Sequence, residues 1–218
     1  MVLFDTHDMA FLKHSGHLNI KHHVNGLWND ILHRCFSTAL AYKTFTISPE
    51  AYPHITHSLG PRADLLVSEL VRYHDGSEWD SELSPVLCYE GRGASSSHEF
   101  TAIAGKLTSW LEGTSAARKA ERSLWAIGAK GSSFKVWVWC MECGFDGQLI
   151  PVKLAEDHLP KFLVDGSLDI LEPYDIVDNA IQLHELLRYV KEHPHPDVKQ
   201  MFEDRRSDWV GRWWQRAS

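Results

Sequence analysis

Apolar residues in the first fifth of the chain recur at the spacing of a helix. Val24, Leu27, Trp28, Ile31, Leu32, Cys35 and Ala39 form one stripe, and Asn25, Asn29 and His33 lie toward its other side. That period predicts a helix over 24–41. The period then changes. YKTFTIS (42–48) alternates and is β-branched, which predicts a strand ended by Pro49 and Pro53. Gly60 and Pro61 introduce RADLLVSELVRY, a strand beginning near Ala63. After the polar HDGSEWDSELS comes the short apolar run PVLCYEGRG. The two runs predict a hairpin with an elaborated tip.

SSSHE (95–99) carries the capping-box spacing between Ser96 and Glu99 and predicts a helix start. Phe100, Ile103, Ala104, Leu107 and Leu111 continue it as an apolar stripe, stopped by Gly113. SLWAIGA (123–129) and FKVWVWC (134–140) read as strands around a turn at Gly131. In the second, Phe134, Val136, Val138 and Cys140 face one way, and Lys135, Trp137 and Trp139 the other. Short strands are expected near 148–152 and 168–171. Ile176, Ala180, Leu183, Leu187 and Val190 predict a helix over 175–191, broken by HPHP at 193–196. Residues 1–20 show no strong period. The order α, β, β-hairpin, α, β, β, α predicts one α/β domain over 21–192, a mixed central sheet flanked by helices. An N-terminal extension (1–20) precedes it, and a tail (193–218), helical and docked by its tryptophans, follows.

Composition narrows the class. The chain has 218 residues, 44% hydrophobic and 23% charged, an ordinary globular balance. It has no apolar run of the ~18 residues that a membrane helix needs and opens without an apolar leader, so no membrane partner is expected. Cys35, Cys88, Cys140 and Cys143 lack framework spacing, which points to a reducing, cytoplasmic location. The lone C-x-x-C (Cys140–Cys143) has no second pair, and the fourteen histidines show no metal-binding motif. A net charge of −7 argues against a purely electrostatic nucleic-acid binder, but the charge is segregated. Within 114–135, Arg118, Lys119, Arg122, Lys130 and Lys135 face one acid, Glu121. The tail interleaves Arg205, Arg206, Arg212 and Arg216 with Trp209, Trp213 and Trp214. Such a surface can present a basic face to a polyanion.

The hairpin carries the candidate chemistry. Asp64 stands at the start of one strand. Glu90 and Arg92 stand two apart at the end of the next, so they share a face. Pairing of the two strands brings all three to one sheet edge. Charges beside the apolar run Pro85–Cys88 are costly unless paired. In order and spacing, VNGLWNDILH, ALAYKTFTISPEAY, GPRADLL, PVLCYEGR, FTAIAGKLTSWLEG, GSSFKVWVW and YDIVDNAIQLHELL resemble the PD-(D/E)XK nuclease superfamily, in particular a fungal group with that domain. The resemblance spans roughly 24 to 190 and implies a restriction-endonuclease-like fold.

The resemblance implies that Asp64 and Glu90 match the family's metal-binding acids. Arg92 stands where the family has a Lys that positions or activates water. Asn25 stands where the first helix often brings a further Glu. Arg cannot lose its proton near neutral pH, and a missing carboxylate weakens a seat for Mg²⁺. A nuclease fold with weakened metal chemistry is therefore expected, with no cofactor. One fungal branch of this fold makes arginine-containing cyclodipeptides from aminoacyl-tRNA, and the resemblance extends to it. Its chemistry is aminoacyl transfer, the partner being tRNA, one of them charged with arginine, and the enzyme a monomer or homodimer.

In this reading Asp64, Glu90, Arg92, Ser95 and His98 are catalytic. The carboxylates act as guanidinium partners or general base, Arg92 stabilises negative charge, and a serine of Ser95–Ser97 with His98 is a candidate acyl acceptor and base. Asn25, Asn29, Lys106, Trp137 and Trp139 line the substrate. Arg118, Lys119, Arg122, Lys130 and Lys135 hold tRNA, and no residue is assigned to metal. The alternatives are a Mg²⁺-dependent endonuclease on DNA or RNA, and an inactive nucleic-acid-binding module.

Overall fold

The computed structural model describes residues 6–37, 43–51, 62–74, 79–118, 122–141, 147–154, 160–162 and 172–198. It begins with α1 (Thr6–His14) and a 3-10 turn (His17–Asn19), followed by α2 (Lys21–Phe36). The strands β1 (Phe45–Ala51), β2 (Ala63–His74) and β3 (Trp79–Arg92) come next, then α3 (Phe100–Arg118), β4 (Leu124–Lys130) and β5 (Ser133–Cys140). The chain closes with β6 (Gln148–Leu154), β7 (Pro160–Phe162), β8 (Tyr174–Asp175) and α4 (Ala180–Glu192). The expected strand at 168–171, Cys143 and the tail helix lie outside the described residues.

The sheet runs β1-β2-β3-β4-β5-β6-β7, with β8 also paired to β5. All its pairs are antiparallel except β3–β4. A parallel pair needs a crossover, and α3 supplies it. The result is a mixed, mostly antiparallel open sheet with helices on both faces, as the order of elements predicts. One face is covered by α2 and α4 over Leu65, Val67, Leu87, Tyr89, Trp125, Ile127, Phe134, Val136 and Val138. The other is covered by α3 over Leu66, Cys88, Ala126, Trp137 and Trp139. Strand alternation assigns each residue to its face, and the predicted split within β5 holds.

Several boundaries differ for physical reasons. Although residues 1–20 lack a period, α1 and the turn after it dock on the core with Met9 and Leu18 buried. The strand β1 continues through Pro49, which pairs with Leu65. An edge strand tolerates a residue without an N–H. The helix α3 runs past Gly113 to Arg118, since one interior glycine costs a helix only about 1 kcal/mol against alanine. The expected capping box does not form. The Ser96 hydroxyl accepts the His98 N–H at 3.2 Å, and the helix begins only at Phe100.

Candidate functional site

The hairpin delivers the two carboxylates together. Leu65 lies opposite Tyr89, so the next step along the ladder sets Asp64 beside Glu90. By alternation with Leu66 and Cys88, both side chains sit on the α3 face. From that helix Lys106 reaches down to Glu90 Oε2 at 2.5 Å and to within 3.8 Å of Asp64 Oδ1. Arg92, two residues along β3, places Nη2 3.2 Å from Glu90 Oε1.

A third cation arrives from a place the sequence did not suggest. Lys21, the first residue of α2, donates to Asp64 Oδ1 at 2.9 Å and to Glu90 Oε1 at 3.3 Å. Its helix start is tied to the end of β3. The Ala94 N–H donates to the Leu18 carbonyl at 2.9 Å, and the Ser95 hydroxyl donates to the Asn19 carbonyl at 2.7 Å. Gly93 permits this approach, since a Cβ there would lie 2.1 Å from the Asn19 oxygen. The remaining oxygen, Asp64 Oδ2, accepts the Gly91 N–H at 2.9 Å. All four carboxylate oxygens thus face a protein donor or cation, three cations against two acids.

Burial and charge separate the acids. Glu90 is 1% exposed. Burial and the neighbouring Asp64 charge push its carboxyl above the ordinary value, against the opposing pull of Lys106 and Lys21. Burial also pushes Asp64 upward, but the hydrogen bonds from Lys21 and Gly91 and the two lysine charges outweigh it and hold Asp64 low. The pair therefore contains one carboxylate that ionises easily and one that holds a proton more tightly, the arrangement that separates spectator from base. Beneath them the buried Tyr89 hydroxyl points to Asn25 Oδ1 at 3.5 Å. A Cβ at Gly91 would crowd both atoms, at 2.4 and 2.1 Å. Burial holds the Tyr89 phenol far above its usual value, so it stays neutral. Arg92 Nε is buried without a partner. With three cations against two carboxylates, the site carries an excess of positive charge.

The other predicted residues divide. Asp64, Glu90, Arg92 and Lys106 converge, with Asn25 one layer below. Asn29 lies one turn further along α2, half-buried, where its carbonyl accepts from His33. Ser95 and His98 are not a pair: the Ser95 hydroxyl is spent on Asn19, and the exposed His98 contacts Ser96 at 3.3 Å. Trp137 and Trp139 are fully buried in the core under α3, so neither offers a face to a base or substrate. Three residues of the basic cluster are engaged within the protein. Lys135 is 7% exposed and lies over the Phe100 ring, Lys130 pairs with Glu99 at 3.0 Å, and the exposed Arg122 lies 3.5 Å from His195. The helix ends at Arg118, so Arg118 and Arg122 do not share a helical face. Lys119 lies outside the described residues, as do Arg205 to Arg216.

A divalent metal does not fit this donor set as it stands. Hard cations need free carboxylate oxygens, and here Lys21 bridges the two acids where an ion would sit. Among the described residues no group of three His, Cys, Asp or Glu side chains gathers elsewhere, and no helix is long and apolar enough to cross a membrane. No family model, curated protein or solved structure matches the chain.

Proposed function

We propose that the chain is an aminoacyl-tRNA-dependent cyclodipeptide synthase, built on the restriction-endonuclease-like fold of the PD-(D/E)XK superfamily and working without a metal ion. The single observation that carries this reading is the cation-saturated pair, in which buried Glu90 has a raised pKa and every carboxylate oxygen is already engaged. Peptide bond formation from an activated ester asks for a base, an oxyanion seat and no further energy source. The α-amine of one aminoacyl group attacks the ester carbonyl of another. Glu90 takes the proton that the amine loses, and its raised pKa brings it closer to an amine of pKa about 8. Arg92, with Lys21 and Lys106, stabilises the tetrahedral oxyanion. Collapse expels the ribose hydroxylate of the tRNA end, which takes up the proton. Repetition of the step by the second amine closes the ring.

Two parts of the sequence expectation change. A substrate guanidinium cannot simply dock on Asp64 and Glu90, because it would have to displace Lys21 or Lys106. A covalent serine intermediate is disfavoured by the engagement of Ser95. Mass spectrometry of cells expressing the chain tests the reading. A new arginine-containing diketopiperazine, absent with Glu90→Gln, is the expected result, and its absence from cells making soluble protein overturns the proposal.

A second reading, a nuclease, is favoured by one observation: Lys106 supplies from α3 the ammonium that Arg92 replaces on β3. Mg²⁺-dependent cleavage of DNA or RNA that disappears in Asp64→Ala would promote it over the first.

A further inference from the structure

Lys21 occupies a position that local physics disfavours. It is the first residue of α2, where the helix dipole is positive and cations are unfavourable. No acid stands in that first turn, the Ile20 cap offers no side-chain hydrogen bond, and the next two residues, His22 and His23, are also basic. A violation of a local rule marks a position fixed by something else. Among the described residues its ammonium has two partners, Asp64 and Glu90, reached from 43 and 69 residues away in sequence. The segment that carries it is held to the residues after β3 by the Ala94–Leu18 and Ser95–Asn19 hydrogen bonds. We propose that Lys21 is a resident cation that takes the place a divalent ion would hold between the two acids, so that the pair accepts no such ion while Lys21 stands there.

This rests on the metal-free part of the proposed function, not on its acyl chemistry. Lys21 Nζ lies within hydrogen-bond reach of one oxygen of each acid, as a bridging ion would. Without its charge, Asp64 Oδ1 loses its nearest cation and Glu90 Oε1 keeps only Arg92 Nη2 at 3.2 Å, so the pair gains attraction for another cation. Lys106 on Oε2 and Arg92 on Oε1 still hold Glu90 in place and reduce the gain without cancelling it.

The test is Mn²⁺ binding to the full chain, followed by loss of the free-ion electron paramagnetic resonance signal. Wild type is expected to show no saturable binding. Lys21→Met keeps the stem, removes the charge and should bind one Mn²⁺ saturably, at concentrations roughly a hundredfold below those at which wild type shows no binding. Lys21→Arg should behave as wild type, and Asp64→Asn added to Lys21→Met should abolish the site. Saturable wild-type binding that Asp64→Asn removes overturns the proposal, and so does a folded Lys21→Met chain that binds no Mn²⁺. If Lys21→Met fails to fold, Lys21→Gln takes its place under the same criteria. The readout contains no RNA and no amino acid. A missing diketopiperazine alongside the expected Mn²⁺ result would therefore sink the acyl-transfer reading alone.

Discussion

Two carboxylate clusters in this molecule use the same parts for different ends. Asp175 receives Lys13 Nζ from α1 at 2.8 Å and the Ser132 hydroxyl at 2.8 Å, while its other oxygen accepts the Val177 N–H at 2.9 Å. It is a local staple: burial opposes its charge, but these donors outweigh burial and hold its pKa low. Asp64 and Glu90 also receive a lysine from an early helix, yet almost nothing local. Their partners come from α2, α3 and β3, and two like charges stand side by side. Where backbone amides of its own turn satisfy an acid, the acid serves the fold. Where separate elements must converge to hold it, folding has been made to tolerate crowded like charges, a feature that candidate functional sites share.

The sharpest way to break this contrast is to neutralise each acid in turn. Glu90→Gln should lower product formation by roughly a hundredfold or more, while Asp175→Asn leaves the rate per folded molecule unchanged. Equal losses in both would erase the distinction. A steady-state assay on purified variants, normalised to folded protein by circular dichroism, decides it. Next in size is Lys106→Met. It removes the strongest interaction that holds Glu90 down, so the base is protonated at higher pH and the acid limb of the pH–rate profile should move upward. An unmoved limb would take Glu90 out of the base role.

Stability against pH separates Glu90 from the two aspartates in sign. Asp64 and Asp175 are lowered in the folded state. Their contribution is present above the unfolded carboxyl value of about 3.9 and is lost as pH falls through the folded value. Glu90 is raised, so it favours folding below about 4.3 and loses that contribution as pH rises through its folded value. Asp175→Asn should therefore flatten the fall in stability toward acid, and Glu90→Gln should steepen it. Urea titrations between pH 3 and pH 7 read both slopes, and slopes of one sign would refute the assignment. The smallest effect belongs to Lys13→Met. The lysine is half-exposed, so its loss should cost at most about 1 kcal/mol, a melting-point drop of about 2–4 °C. A larger drop would mean that the staple does more than pin α1.

The sequence shows the acids and two of their three cations. Asp64, Glu90 and Arg92 could be read because i, i+2 parity and strand pairing act over short range. Lys106 could be suspected one to two turns along its helix. Lys21 could not: the apolar stripe starts at Val24, and the contact depends on where α2 meets the hairpin. The signal available was Lys-His-His at a helix start, three bases against the dipole. The tryptophans and Lys135 misled because alternation says which residues share a face but not that α3 covers it. Likewise S-x-x-E spacing could not reveal that the end of β3 is drawn toward Asn19, which engages Ser95 and delays the helix.

The ties between Leu18–Asn19 and Ala94–Ser95 have a consequence for covalent continuity. The helix that carries Lys21 ends at Phe36, while both acids lie beyond residue 62. The centre is thus divided between two stretches of chain that meet through buried side chains of α2, among them Val24, Trp28 and Ile31, and these two hydrogen bonds. Cleaved between residues 37 and 43, the protein should behave as a complementing pair. Neither fragment should act alone, and mixing them should restore turnover with a dependence on concentration. Activity in the larger fragment alone would show that the amino-terminal piece is dispensable to the chemistry.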